Sequence, residues 1–317
     1  MRDVGLGVDL ERRLIVPSEL TLKNDAQHWR MTAFLQDLRD AVSSGDKAVR
    51  LDFRKTGMVF SDGTLLFFSE LSRLREMYPN AVFLCTPSKS DRVNQVLQHL
   101  GIFGLLSYKS SVIPKRADVV TWRTVSSKDF DPNVIGELID KYASLVGSRG
   151  AHMFRSASEA MGNAVRHAYL EPRNDGLPEP AEKKWWMFVR EDEDEMSVAI
   201  CDLGIGIPRS LPLKHPREFI QLALATVSVA LKMPTHRGKV DAHMIHAAME
   251  INRTRTNVAG RGKGLTDLRR IVDEVKGGRL ILISNRGRLV YSNGVYSKHG
   301  YERSIKGTLV LWTIPLN

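Results

Sequence analysis

Short apolar runs alternate with longer amphipathic segments over the first 125 residues of the chain. Apolar positions that recur every three or four residues predict helices, whereas short runs rich in β-branched and aromatic residues predict strands. The alternation therefore predicts a sheet with helices packed on it, in which "ADVVTWRTV" at 117–125 is the last strand. The preceding segments are RRLIVP, HWRMTAFLQDLRDAVSS, KAVRLDF, GTLLFFSELSRLREMY, NAVFLCT and SDRVNQVLQHLG.

The pattern changes after "SSKDFDPN" at 126–133, a polar stretch with a proline that is typical of a linker. Beyond it, the spacing of apolar residues predicts helices and strands in a different order. These are helices at about 133–147 and 151–169, strands at about 184–190 and 195–202, a Gly-rich turn, helices, a second Gly-rich turn, another helix and closing strands. The whole chain is thus predicted to be α/β, with domains at 1–125 and 134–317.

Composition agrees with a globular chain, because 43% of its 317 residues are hydrophobic and 26% are charged. No stretch approaches the roughly 18 apolar residues of a membrane span, and the first residues lack the apolar core of a secretory signal. We therefore expect a cytoplasmic protein. Cys85 and Cys201 lie in apolar runs, which favours buried thiols over a disulfide or a zinc site.

The net charge of +10 and the pI of about 9.6 indicate a polyanionic partner. Nine Lys or Arg and three Asp or Glu lie between Lys232 and Arg270, an excess of 9 − 3 = 6 around one Gly-rich loop. That placement suits a bound triphosphate as well as nucleic acid. Nucleic acid is not favoured, since no basic stretch is interleaved with aromatic residues that could stack single-stranded bases.

The stretch "SEAMGNAVRHAY" at 158–169 places Glu159, Asn163 and His167 four residues apart. A helix turns once every 3.6 residues, so the three polar groups share one face, while the residues between them are mostly small or apolar. This pattern predicts a helix that is packed on one side and carries polar groups on the other. The simpler interpretation is a solvated helix face.

Two Gly-rich turns follow. The strand "MSVAICD" ends at Asp202 and runs directly into "LGIGIP", where Gly204 and Gly206 allow a tight turn and a close approach to a ligand. "GRGKGL" at 260–265 precedes a helix, and glycines there expose backbone N–H groups that can bind an anion. The second turn matches neither the Walker pattern nor a dinucleotide-binding strand and turn.

The motifs ExxxNAxxHA, DxGxGI, GxGxGL and "GTLVLWTIP" at 307–315 occur in this order. In order and spacing they resemble the N, G1, G2 and Gly-Thr motifs of the GHKL ATPase superfamily, over about residues 133–317. The resemblance implies a two-layer α/β sandwich, the Bergerat-type fold, which holds magnesium and ATP between its helices and a lid at about 208–265.

The resemblance also implies a role for each matching residue. Asn163 would bind magnesium, Glu159 would orient or deprotonate the attacking group, and Asp202 would accept a hydrogen bond from the adenine amino group. His167 would touch a phosphate or simply pack against the helix. The remaining positions would shape the adenine pocket or wrap the phosphates: Gly204, Gly206, Ile207, Gly260, Arg261, Gly262, Lys263, Gly264, Leu265 and Thr308.

The first domain, over about residues 12–123, resembles a STAS domain, the fold of anti-sigma-factor antagonists. Members commonly carry a phosphorylated serine where a helix begins. Here that region reads "FSDGTLL", so Ser61 and Thr64 are candidate phosphorylation sites and Asp62 lies beside them. Ser61 and Asp62 are equally explained as residues that cap the helix. The domain is interpreted first as a docking or regulatory module.

Three functions remain open at this point. The leading one is a magnesium-dependent ATP-binding protein with slow hydrolysis, whose nucleotide state switches its conformation or its binding of a protein partner through the lid or the STAS-like domain. The alternatives are a serine/threonine kinase of the anti-sigma type and a binding module for ATP or nucleic acid. A histidine kinase is disfavoured. His152 is the only candidate phosphoacceptor just before the N motif, and it lies too close to that motif to be part of a separate dimerising stalk. Many GHKL proteins dimerise with ATP bound, which makes a homodimer a further expectation.

Overall fold

The computed structural model describes residues 11–45, 48–133, 136, 150–180, 182–192, 194–227, 236–254, 265 and 267–316. Over these residues the chain is a mixed α/β protein. Its strands are β1 (Glu11–Ile15), β2 (Glu19–Leu20), β3 (Ala48–Asp52), β4 (Met58–Val59), β5 (Phe83–Thr86), β6 (Arg123–Ser127), β7 (Trp185–Glu191), β8 (Glu195–Asp202), β9 (Arg279–Ser284), β10 (Gly287–Ser292), β11 (Val295–Gly300) and β12 (Thr308–Pro315). Its helices are α1 (Asp25–Ser43), α2 (Ser61–Met77), α3 (Asp91–His99), α4 (Ile102–Leu105), α5 (Ala117–Val120), α6 (Gly150–His167), α7 (Ile207–Lys214), α8 (Arg217–Val227), α9 (Arg237–Thr254) and α10 (Asp267–Glu274).

The N-terminal part contains a parallel sheet in the order β1-β3-β5 and a small parallel pair, β2 with β4. Parallel neighbours require a crossover, which the helices between them supply. Local sequence sets where two of these helices begin. The side chain of Asn24 accepts a hydrogen bond from Gln27 N at the start of α1, and Ser90 does the same with Val93 N at the start of α3. The predicted alternation of strands and helices is confirmed.

The start of α2 differs from the capping interpretation. Phe60 occupies the capping position, and no described side chain caps the helix there. The hydroxyl of Ser61 has no hydrogen-bond partner among the described residues, and the carboxyl of Asp62 accepts instead from Leu22 N at 2.8 Å and Thr21 Oγ1 at 3.0 Å. Capping by Ser61 is therefore wrong, because tertiary contacts with the chain at 20–22 hold this end of the helix.

The C-terminal part is built on a seven-stranded antiparallel sheet in the order β11-β10-β9-β12-β8-β7-β6. Alternate residues of its strands face opposite sides. Met187 and Ile200 pack with α6, α9 and α10, whereas Phe188 and Cys201 pack with the core of the N-terminal part. The helix α2 lies on β7, β8 and β12 from that second side. Both faces of the central strands are buried, which explains their nearly unbroken apolar runs.

The strand predicted at 117–125 is wrong in extent and in partner. Residues 117–120 form α5, and the strand β6 begins only at Arg123. It pairs antiparallel with β7 in the seven-stranded sheet, so Ser127, within the predicted linker, lies opposite Trp185. Trp122, which is 1% exposed, packs edge-on against Phe188 and draws the chain onto this sheet.

Other predicted elements of the C-terminal part are confirmed. The helix at 151–169 is α6, and the strands at about 184–190 and 195–202 are β7 and β8. The helix predicted at about 133–147 falls almost entirely outside the described residues. Both cysteines are buried free thiols, and in the described part of the chain no helix is long and apolar enough to cross a membrane. The division into domains at 1–125 and 134–317 stays a prediction.

Candidate functional site

A cavity of about 700 Å³ opens between α6, α7 and the ends of β8 and β12. Its walls contain seven of the predicted site residues, although these are spread over about half of the chain. They are Asn163 and His167 of α6, Asp202 at the end of β8, Gly206 and Ile207 at the following turn, Leu265, and Thr308 at the start of β12. The tertiary structure therefore brings the motifs together in one place.

Asp202, the last residue of β8, lines this cavity. It is 8% exposed, and its Oδ1 accepts from Gly204 N at 3.0 Å. Thr308 lies directly opposite in the antiparallel register, and its backbone N–H and hydroxyl favour the ionised form of the same carboxyl. Burial raises the pKa of Asp202 to about 6, even though these hydrogen bonds lower it. The carboxyl is ionised at neutral pH only at a cost, which an additional hydrogen-bond donor from a ligand would reduce.

The two glycines after Asp202 are required by packing against protein rather than by a ligand. A Cβ at Gly204 would lie 2.0 Å from the carbonyl oxygen of Ala168, at the end of α6. Gly206 has φ of +79°, and a Cβ there would lie 2.6 Å from Asn285 Nδ2. The predicted tight turn is confirmed, and it packs the C-terminal end of α6 against the end of β8.

The polar face of α6 carries the magnesium and catalytic candidates. Asn163 Nδ2 donates to Glu159 Oε1 at 3.2 Å, which leaves the amide oxygen as the atom suited to a hard cation. Glu159 lies one turn before Asn163 and directly before Ala160, both of which line the cavity. Burial lowers the pKa of His167 to about 4, with Lys214 and Arg166 adding to the effect, so its imidazole is neutral at pH 7.

The second Gly-rich turn, at 260–264, lies outside the residues that the structure describes. Gly260, Arg261, Gly262, Lys263 and Gly264 lie outside the described residues, whereas Leu265 lines the cavity. Whether that turn wraps a phosphate stays a prediction.

No family model and no curated protein matches the chain. In the described portion of the chain, no group of three or more His, Cys, Asp or Glu is arranged to hold a metal ion.

Sequence reasoning missed the basic end of the cavity. Ser210, Lys214 and His215, all on or just after α7, line it as well. Burial lowers the pKa of Lys214 to about 7, and Arg166 lowers it further, while Asp202 and Glu159 act in the opposite direction. The position of Lys214 in the sequence could have indicated this. The helix α7 starts immediately after the Gly206 turn and ends at Lys214, so Lys214 is separated from Asp202 by only this turn and one short helix.

The two phosphorylation candidates lie away from this cavity. Ser61 is 5% exposed and Thr64 is fully buried. Ser61 lines a different cavity, together with Ile283 and Leu311, whose side chains pack with the N-terminal core on the opposite face of the sheet. The seven-stranded sheet therefore lies between Ser61 and Asp202.

Proposed function

We propose that this chain is a magnesium-dependent ATP-binding protein of the GHKL type, with slow hydrolysis, whose nucleotide state changes its conformation or its binding of a protein partner. The observation that carries the proposal is the buried carboxyl of Asp202, held by Gly204 and Thr308 in the cavity that Asn163 also lines. These residues come from three of the four motifs that suggest the family.

The Asp202 end of the cavity suits an adenine ring. Ile200, Leu211 and Val310 supply apolar walls for a flat base, and Asp202 supplies an acceptor for its exocyclic amino group. A site with a buried acceptor discriminates strongly against ligands that lack the donor, because the acceptor would then be left unpaired. Thr308 Oγ1, which lies 3.1 Å from Ser284 Oγ, is a second polar group beside the base.

The other end suits the phosphates. Asn163, with Glu159 behind it, would hold magnesium together with phosphate oxygens, which are the ligands that this ion prefers. Lys214 would add a positive charge, and the turn at 260–264 would supply backbone N–H groups. Glu159 would orient the attacking water near the terminal phosphate, a role that its 3.2 Å contact with Asn163 supports.

An antiparallel sheet with α6, α9 and α10 on one face supports a Bergerat-type sandwich, and the parallel order β1-β3-β5 with its helices supports a STAS-like N-terminal domain. The helices α7, α8 and α9 share a small core of their own and would form the described part of the lid.

The deciding test measures magnesium-ATP binding by calorimetry in the wild type, Asn163→Ala and Asp202→Asn. We expect each variant to weaken binding by about tenfold or more, the effect of one strong polar contact. Asn80→Ala, at an exposed turn, is the matched control and should bind normally. Normal binding by Asn163→Ala would exclude the site.

Asp202→Asn should remain folded, so that weaker ATP binding by this variant would not result from unfolding. Burial raises the pKa of Asp202 in the folded state to about 6, above its unfolded value of about 4. The protonated carboxyl therefore contributes fully to stability below about pH 4, and this contribution is lost as pH rises through 6. At pH 8 the amide removes the cost of a buried charge. Thermal unfolding at pH 8 should therefore occur at the same temperature as in the wild type or higher.

ATP labelled on its terminal phosphate then separates the activities. Release of free phosphate that stops in Glu159→Ala indicates a hydrolase. Label on a protein indicates a kinase, and the buried positions of Ser61 and Thr64 make a separate chain the expected acceptor. Binding without transfer indicates a nucleotide-dependent switch.

A further inference from the structure

A second cavity, of about 840 Å³, lies where the start of α2 meets the seven-stranded sheet. It is on the sheet face opposite the proposed ATP site, because Ile283 in its wall packs with the N-terminal core. The chain at 21–23, the first residues of α2 and the strands β7 to β10 and β12 form its walls. The proposed function uses none of these residues.

The wall is basic. It contains Lys23, Arg190, Arg279 and Arg288 against two acids, Asp62 and Glu195. Arg190 is paired with Asp192, but within the described ranges Lys23, Arg279 and Arg288 make no ion pair. These three cations line the same cavity, and their positive charge would attract an anion.

The acids in the wall offset only part of this charge, because four cations face two acids, of which Asp62 attracts Arg288. The carboxyl of Asp62 already accepts hydrogen bonds from Leu22 N, Thr21 Oγ1 and Gly63 N, at 2.8 to 3.0 Å.

The polar groups at the start of α2 point to a ligand as well. Ser61 forms part of the wall and is 5% exposed, yet its hydroxyl has no partner among the residues that the structure describes. A buried hydroxyl without a partner costs free energy, which a ligand oxygen would recover. It lies at the positive end of a 17-residue helix whose capping position holds Phe60.

Apolar residues complete the cavity. Phe60 is 39% exposed, and Ile281 and Leu311 extend the wall along the sheet. A free inorganic anion would use only the basic part, whereas a ligand that also carries a ring or an apolar chain would use both.

We propose that this cavity binds a small organic phosphate, with its phosphate held by Arg279, Arg288, Lys23 and the hydroxyl of Ser61 and its apolar portion on Phe60 and Leu311. The ligand would bridge α2 and the sheet, and so bind across the contact between the N-terminal and C-terminal parts of the chain. This site is independent of the proposed ATP site.

The test measures binding of phenyl phosphate and of inorganic phosphate to the full chain by calorimetry or NMR. We expect phenyl phosphate to bind more tightly than inorganic phosphate, because its ring adds buried apolar area. Arg279→Gln and Arg288→Gln should each weaken binding by about tenfold, as for the loss of one charge-assisted hydrogen bond. Arg30→Gln, an exposed change on α1, is the matched control and should have no effect.

Asp202→Asn distinguishes the two cavities. Phenyl phosphate binding that survives Asp202→Asn and falls in Arg279→Gln supports the proposal. Binding that is lost in Asp202→Asn and unchanged in both arginine variants would place the ligand in the first cavity and overturn it. Absence of any binding by the wild type would also overturn it. Arg279 is exposed at a strand start, so its variant tests the site even where Arg288→Gln fails to fold.

Discussion

Asp202 and Lys214 show how one cavity shifts two side chains of opposite charge. Both groups lose hydration, so burial raises the pKa of the carboxyl to about 6 and lowers that of the ammonium to about 7. Perturbed groups that share a cavity are a common sign of a ligand site. In this case the two values predict how ligand binding depends on pH.

Magnesium-ATP affinity should be greatest between about pH 6 and pH 7. Below about 6 the carboxyl of Asp202 is protonated and loses its capacity to accept from adenine, so affinity falls as pH falls. Above about 7 the ammonium of Lys214 is deprotonated and no longer attracts phosphate, so affinity falls as pH rises. Calorimetry across pH 5 to about 9 measures both limbs.

Two controls assign the limbs. Lys214→Gln should remove the alkaline limb and leave the acidic one. Adenosine, which has no phosphate, should show only the acidic limb in the wild type. An alkaline limb that persists in Lys214→Gln at full amplitude would contradict the role of this residue.

At the scale of elements, the turn after β8 fixes the geometry of the site. Ile205 N donates to the carbonyl of Ala168 at 2.7 Å, and Asn285 Nδ2 donates to the carbonyl of Ile205 at 2.8 Å. The turn therefore ties the end of α6 to the end of β9. Gly307 adds a third constraint, since a Cβ there would lie 2.2 Å from the carbonyl oxygen of Asp202.

Gly204→Ala should disrupt both stability and binding. The new Cβ would collide with the backbone at Ala168, which cannot give way without moving the end of α6. We expect a loss of about 1–3 kcal/mol in the free energy of unfolding, as for other overpacked positions, and weaker ATP binding. Denaturant unfolding and calorimetry measure the two effects.

Gly104→Ala is the matched control for this substitution. A Cβ there meets no described atom within 4 Å, and a helical glycine is replaced, so stability should stay equal or rise slightly. An equally stable Gly204→Ala variant would contradict the packing argument.

At the scale of the whole molecule, a buried charge network joins the two parts of the chain. Glu70 of α2 accepts from Arg173 at 2.8 Å and lies 3.3 Å from Arg39 and from Arg73. Burial alone would raise the pKa of Glu70, but Arg173 and Arg39 outweigh it and hold this pKa well below its usual value. Arg173 also donates to the carbonyl of Lys306 at 2.7 Å, just before the Gly-Thr motif. The network thus links α2 to the start of β12, where Thr308 lies opposite Asp202.

Glu70→Gln should destabilise the protein by about 3–5 kcal/mol near pH 7, because buried Arg39 loses its carboxylate partner, while Arg73 and Arg173 still pair with Asp175. Glu76→Gln, which affects an exposed pair with Lys184, is the matched control and should cost less than about 1 kcal/mol. Denaturant unfolding of both variants measures the difference.

The effect of Glu70→Gln should also depend on pH. The pKa of Glu70 is depressed in the folded state, so its contribution is present above the unfolded pKa of about 4 and is lost as pH falls below it. The gap between wild type and variant should therefore narrow in acid. A gap that stays constant down to pH 3 would argue against a charge effect.

The sequence by itself determined the features that depend on near neighbours along the chain. The helix around Asn163, the strands β7 and β8 and the turn at Gly206 follow from apolar spacing and turn chemistry, which act over three or four residues. The motifs also named seven of the residues that line the first cavity. The fold as a mixed α/β protein was predicted from the same patterns.

Only the tertiary structure decided which distant segments meet. It placed Lys214 in the cavity, buried Ser61 against the sheet, moved the strand at 123–127 into the seven-stranded sheet and paired Glu70 with Arg173. Such contacts join residues that are distant in the sequence, as Glu70 and Arg173 are at 103 positions apart, and their free energy comes from burial and charge pairing that no local pattern records. For this reason the sequence could indicate the proposed ATP site but not the basic end of that cavity, its link to α2 or the second cavity.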